Sequence, residues 1–178
     1  MTLDEPQYLL HEEVVASLAS GLEPRLASAV GARCLLRCSH RVRAAAHGSV
    51  QLTSGIELLL VWLRAPRVSS NSTDAQHLQD CLDSALEDTI HKAVLLLFLQ
   101  AVIDFEVRLR EGLESEALAF AAHFPFSLLD LLEDDGELEP SLVRQLADAE
   151  VARQCCDLEE AIDGRVVARD ESVVELSQ

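Results

Sequence analysis

Aromatic side chains are scarce in this chain: five Phe, one Trp and one Tyr, or 4% of its residues against 49% apolar residues in all. The core must therefore be aliphatic, filled by leucine, alanine and valine, and it is expected to be helical. No apolar run is long. The stretch from Ala93 to Leu99 reaches Ile103 only through Gln100, short of the roughly 20 residues that a bilayer span needs, so no segment is expected to cross a membrane. The seven glycines form no phosphate-binding loop, no serine sits in a nucleophile elbow, and there is no paired-histidine motif. Those absences argue against an enzyme and against a cofactor.

The five cysteines, Cys34, Cys38, Cys81, Cys155 and Cys156, are odd in number and lack framework spacing. The opening MTLDEPQ has neither the basic nor the apolar region of a secretory signal. Reduced thiols and a cytoplasmic location are therefore expected. Cys34, Cys38, His40 and His47 could in principle hold zinc, but their spacing matches no common finger and the arginines between them oppose a cation. No metal is expected. Acids around Cys155 and Cys156 would raise a thiol pKa, which disfavours a nucleophilic role.

The net charge of −17 is unevenly spread. Residues 25–67 hold seven arginines against the single acid Glu57, whereas residues 74–178 hold 25 acids against seven bases. The acidic balance repels a phosphate backbone, so nucleic acid is not an expected partner. The two halves can attract each other, or a basic surface elsewhere.

Apolar positions from Tyr8 to Val30 recur every four residues, and Gly21 and Pro24 divide them into two short helices. CLLRCSHRV, Cys34 to Val42, reads either as a strand or as a helical turn. Leu52 to Leu63, with Thr53 or Ser54 as its start and Pro66 as its stop, predicts one buried helix. The polar stretch from Pro66 to Asp74 lies where the charge changes sign and marks a domain boundary. Thr73 and Gln76 can form a capping box for a helix with Leu78, Leu82, Leu86 and Ile90 on one face. Lys92 to Phe105 predicts a helix that is apolar nearly all round. Pro125 is expected to end a helix over Glu116 to His123, followed by a short one over Ser127 to Glu133 that Gly136 terminates. Pro140 then opens a helix with Leu142, Leu146 and Ala149 inward, and Leu158 and Ile162 begin or continue a last one. The tail after Gly164 alternates apolar and charged residues.

Six short helices between Asp74 and Ile162 resemble a death-effector domain. The residues that carry the resemblance are LLLFLQ at Leu95 to Gln100, FSLLDLLEDDGELEP at Phe126 to Pro140, and CCDL at Cys155 to Leu158, where the family carries an Arg-x-Asp-Leu motif. Gly48 to Val68 is similar to the end of a divergent first copy. The resemblance implies an all-α chain of two tandem six-helix bundles: residues 1–68, a linker at 69–73, residues 74–163, and a tail at 164–178. Two such copies without a protease domain are the layout of a viral FLIP. Cys155 stands at the position of the family's arginine, so the charge network around Asp157 is expected to be altered or missing.

By the same resemblance the chain would inhibit death-receptor apoptosis without catalysis, by binding the death-effector domains of the adaptor FADD or of an initiator procaspase. Phe98, Leu99, Leu142, Leu146, Asp157 and Leu158 would be the contact residues. Some viral FLIPs bind the regulatory subunit of the IκB kinase complex instead and alter NF-κB signalling. A Bcl-2-like bundle or another all-helical interaction scaffold would also explain the leucine periodicity, although Trp62 sits in VWLR and not in an Asn-Trp-Gly-Arg signature.

Overall fold

Gly21 and Pro24 interrupt the first apolar repeat, and the computed structural model has two helices there, α1 (Gln7–Ala19) and α2 (Pro24–Leu36), with Pro24 in the first turn of the second. The structure describes residues 7–66, 71–85 and 89–164. Within them the chain is all-helical. Six further helices follow: α3 (Ser39–Ala46), α4 (Val50–Leu63), α5 (Asn71–Ala85), α6 (Ile90–Arg110), α7 (Glu114–Asp134) and α8 (Pro140–Ile162). The ambiguous stretch from Cys34 to Val42 is helical at both ends, closing α2 and opening α3 around Arg37 and Cys38.

Several boundaries differ from the sequence expectation for local reasons. α4 starts earlier than Thr53, because Ser49 is its cap: the Ser49 hydroxyl accepts from the Leu52 amide at 3.3 Å. Thr53 donates instead to the Ala46 carbonyl. α5 starts at Asn71, so Thr73 lies inside the helix and not at its cap position, and the Gln76 amide bonds Gln79 and Asp80. Leu86, Arg67 and the tail from Arg165 lie outside the described residues.

Pro125 does not stop a helix; α7 runs through it. A proline has no N–H to donate to the carbonyl four residues earlier, here Ala121 O. The next carbonyl along, Ala122 O, accepts a hydrogen bond from Gln154 of α8 at 2.9 Å. Buried Ala121, Phe124, Phe126 and Leu128 on either side hold the helix together by packing against α1, α2, α6 and α8. Gly136 does end α7, in the left-handed conformation at φ 77°. The inward face of α8 is Val143, Glu150, Gln154, Leu158 and Ala161, while Leu142, Leu146 and Ala149 are half-buried.

Four helices lie between Asn71 and Ile162, where six were expected, and their packing crosses the expected linker. α7 packs most extensively on α2, and α6 packs on α3. The main core joins Leu35, Val42, Leu52, Ile56, Leu60 and Leu63 to Leu82, Leu95, Phe98, Val102, Phe105 and Leu128. A smaller cluster joins Val15, Ala27, Val30 and Cys34 to Leu118, Ala122, Leu158 and Ala161. Both clusters draw on both sides of residues 69–73. The described helices therefore share their apolar interior, in place of two bundles each with a core of its own. The close approach of α2 to α6 and α7 depends on Gly31: a Cβ there would lie 2.7 Å from Phe105 Cε2 and 3.2 Å from Leu118 Cα.

Candidate interaction surface

The six residues expected to meet a partner are not gathered on one face. Phe98 and Leu99 are fully buried on α6, and the Phe98 ring packs 5.9 Å from that of Phe124. Leu158 is buried in the smaller cluster. Leu142 and Leu146 are half-buried near the start of α8, with Leu146 against the main core. The reason is enclosure: α3, α5 and α7 all pack on α6, and side chains that the resemblance places at a surface point inward.

Asp157 does stand in a charge network, but its partners come from α2 and its C-cap. Arg33 Nη1 donates to Asp157 Oδ1 at 3.0 Å and reaches Glu160 at 3.4 Å. Arg37 donates to Asp157 Oδ2 and, at 2.6 Å, to Glu150 Oε1. Gln154 donates to that same Glu150 oxygen at 2.8 Å and accepts from His11 Nε2 at 2.7 Å. Beside its apolar contacts the α8 interface thus carries two arginines set against three carboxylates. Burial pushes the Cys34 thiol up to about 12 despite Arg37 at 3.6 Å, and burial also raises Cys38. Neither thiol is suited to nucleophilic attack. Cys34 and Cys38 are buried while His40 and His47 are exposed. Among the described residues no group of three or more His, Cys, Asp or Glu is placed to hold a metal ion.

The exposed apolar surface lies elsewhere. α4 is apolar at most positions from Ile56 to Leu63, yet only one arc of it faces the core, through Leu52, Ile56, Leu59, Leu60 and Leu63. The opposite arc carries Val50, Leu58 and Val61, which are 85%, 67% and 57% exposed. Helical geometry stacks positions 50, 54, 58 and 61 on one face. Beside them is a hollow of about 240 Å³ lined by Leu58, Leu59, Val61, Trp62 and Asp74. Trp62 forms a firm wall there, its ring edge-on to Phe105 at 6.3 Å. The flank towards α3 carries Glu57, bonded by Arg43 at 2.6 Å. That hydrogen bond above all, helped by the nearby Arg43 and Arg64 charges, holds the Glu57 carboxyl below its ordinary range against the opposing effect of desolvation.

A wholly buried α4 was the sequence expectation. The signal against it is IELLLVWL itself: a helix apolar around its whole girth must show some of that girth to water unless neighbours surround it. No protein-family model, curated protein or solved structure matches this chain. No described helix is long and apolar enough to cross a membrane.

Proposed function

We propose that this chain is a non-catalytic helical interaction protein whose working surface is the exposed apolar ridge of α4. The observation that carries this reading is the grouping of Val50, Leu58 and Val61 on one helix face beside a hollow. Scattered apolar residues are ordinary on a protein surface, whereas clustered ones mark contact sites. Covering Leu58 or Val61 would contribute about 1.5–3 kcal/mol each.

A photo-crosslinking residue placed at Val61 tests the reading directly. It should give adducts with protein in the native source, and the same residue at the exposed Glu159 of α8 should give far fewer. Equal yields at the two positions would defeat the proposal.

A narrower version, inhibition of death-receptor signalling through FADD or an initiator procaspase, is supported by the resemblance at Leu95 to Gln100 and Phe126 to Pro140. Since Phe98, Leu99 and Leu158 are occupied within the core, such binding would have to use other residues. Co-precipitation of an initiator procaspase, lost on Leu58→Asp, would favour it. Modulation of NF-κB signalling through the IκB kinase regulatory subunit is the corresponding alternative, and the same variant in a reporter assay separates the two.

A further inference from the structure

The ridge of α4 has two distinct flanks at its C-terminal end. Asp74 of α5 lies on one, lining the hollow with Leu58, Val61 and Trp62. Arg64 lies on the other, close enough to Glu57 to help lower its pKa. Both side chains are exposed, and neither is in an ion pair with another described residue. Within α4, Ser54, Leu58 and Val61 recur at intervals of four and three, the spacing of a seam between two packed helices.

Resting on the interaction reading above, we infer that the occupant of this ridge is a second copy of the same chain, with the two α4 helices side by side and parallel. A two-fold axis running along the helices sets each ridge on its twin and exchanges the flanks. Arg64 of each copy then faces Asp74 of the other, so both charges find opposite partners. An antiparallel arrangement would face like flank with like and leave Asp74 beside the Gln51 end of α4, where Gln51 meets Cys81. Elsewhere the strongly negative chain repels its own kind, with a net charge of −17. Around this ridge the Arg43–Glu57 pair, Arg64 and Asp74 leave little net charge.

The seam is small. Fourteen residues of helix present a strip about 21 Å long and about 10 Å wide, well under the roughly 800 Å² per partner of a standard interface. The dimer is accordingly weak and reversible.

Sedimentation of the full chain over a concentration series reaching several hundred micromolar tests this, with helical circular dichroism as the folding control. Wild type should shift from monomer to dimer, and Leu58→Asp should remain monomeric with an unchanged spectrum. Arg64→Asp and Asp74→Arg should each weaken dimerisation about tenfold, since two pairs are lost and like charges meet. The double variant R64D/D74R should regain most of the affinity. A wild-type chain that stays monomeric, a dimer indifferent to Leu58→Asp, or a double variant no better than the singles would overturn the inference. If wild type is monomeric while Val61 still crosslinks to a different protein, the interaction reading stands and the second copy is excluded.

Discussion

Arg37, which caps the C-terminus of α2, and Glu150 of α8, 113 positions apart in the chain, meet with 2.6 Å between Nη1 and Oε1, and the Glu150 side chain is fully buried. Burial works against the Arg37 charge, but Cys34 and Glu150 beside it more than compensate and raise its pKa. This pair and the Asp157 contacts take the place that apolar side chains hold at other interfaces of the fold.

Removing one member should therefore be costly. Glu150→Ala leaves a buried guanidinium with only Asp157 and is expected to lose about 3–5 kcal/mol of stability. Replacing both members, as in R37M/E150L, should lose clearly less than the sum of the single changes, because no charge is then stranded. Urea unfolding midpoints of the four chains give the comparison. Additive losses would mean that the pair does not act as a unit.

The shared core leads to a second expectation. Residues 1–70 alone lack Leu95, Phe98, Phe105 and Leu128, and residues 71–178 alone lack Leu35, Leu52, Ile56 and Leu60, all buried in one cluster in the whole chain. Neither fragment should fold by itself. Each should show weak helicity and bind a hydrophobic dye, and mixing them should restore helical signal. A C-terminal fragment that unfolds cooperatively on its own would instead favour two separate modules.

Much of the helical content can be read from the sequence, because it depends on local chemistry. Pro24 and Pro140 sit in the first turns of α2 and α8, and Gly136 ends α7, as their backbone preferences dictate. What could not be read depends on distant residues. The passage of α7 through Pro125 depends on packing against α1, α2, α6 and α8, elements distant in the chain. The partners of Asp157 lie more than a hundred positions away in α2 and at its C-cap, so a missing arginine at Cys155 gave no hint of them. Periodicity marked Phe98 as apolar but not whether solvent or α3, α5 and α7 would cover it. The ridge of α4 was hidden for the converse reason, since a helix apolar on all sides has no pattern that separates its inner face from its outer one.

Gly31 offers a third test, of the α2–α7 crossing. An added methyl would meet the Phe105 ring and, less avoidably, the Leu118 backbone. Gly31→Ala gains helix propensity but overpacks this crossing, with an expected net loss of about 1–3 kcal/mol. Thermal unfolding would show it, and a stabilised variant would mean that the two helices have room to separate.

The alkaline limb of the stability curve should belong largely to the buried thiols. The chain has a single Tyr and a single Lys, and of its five thiols only Cys34 and Cys38 are buried. Cys34 in the folded chain ionises only near pH 12, and Cys38 is raised as well, both chiefly by burial. In the unfolded chain a thiol ionises near pH 8.5. The unfolded state therefore releases its protons first, and stability must fall as pH climbs above that value. At pH 10 the expected loss is about 2 kcal/mol for Cys34, from the linkage slope of about 1.4 kcal/mol per pH unit, and Cys38 adds to it in the same direction. Urea midpoints at pH 7.5 and pH 10 should thus separate widely for wild type and much less for the C34A/C38A variant, even though that variant starts from a lower stability. At pH 8 a thiol reagent should label the exposed Cys156 quickly and reach Cys34 and Cys38 only on unfolding, since both are buried in the native chain. Equal labelling rates at the three positions would show that the α2–α8 interface opens far more readily than its ion pairs imply.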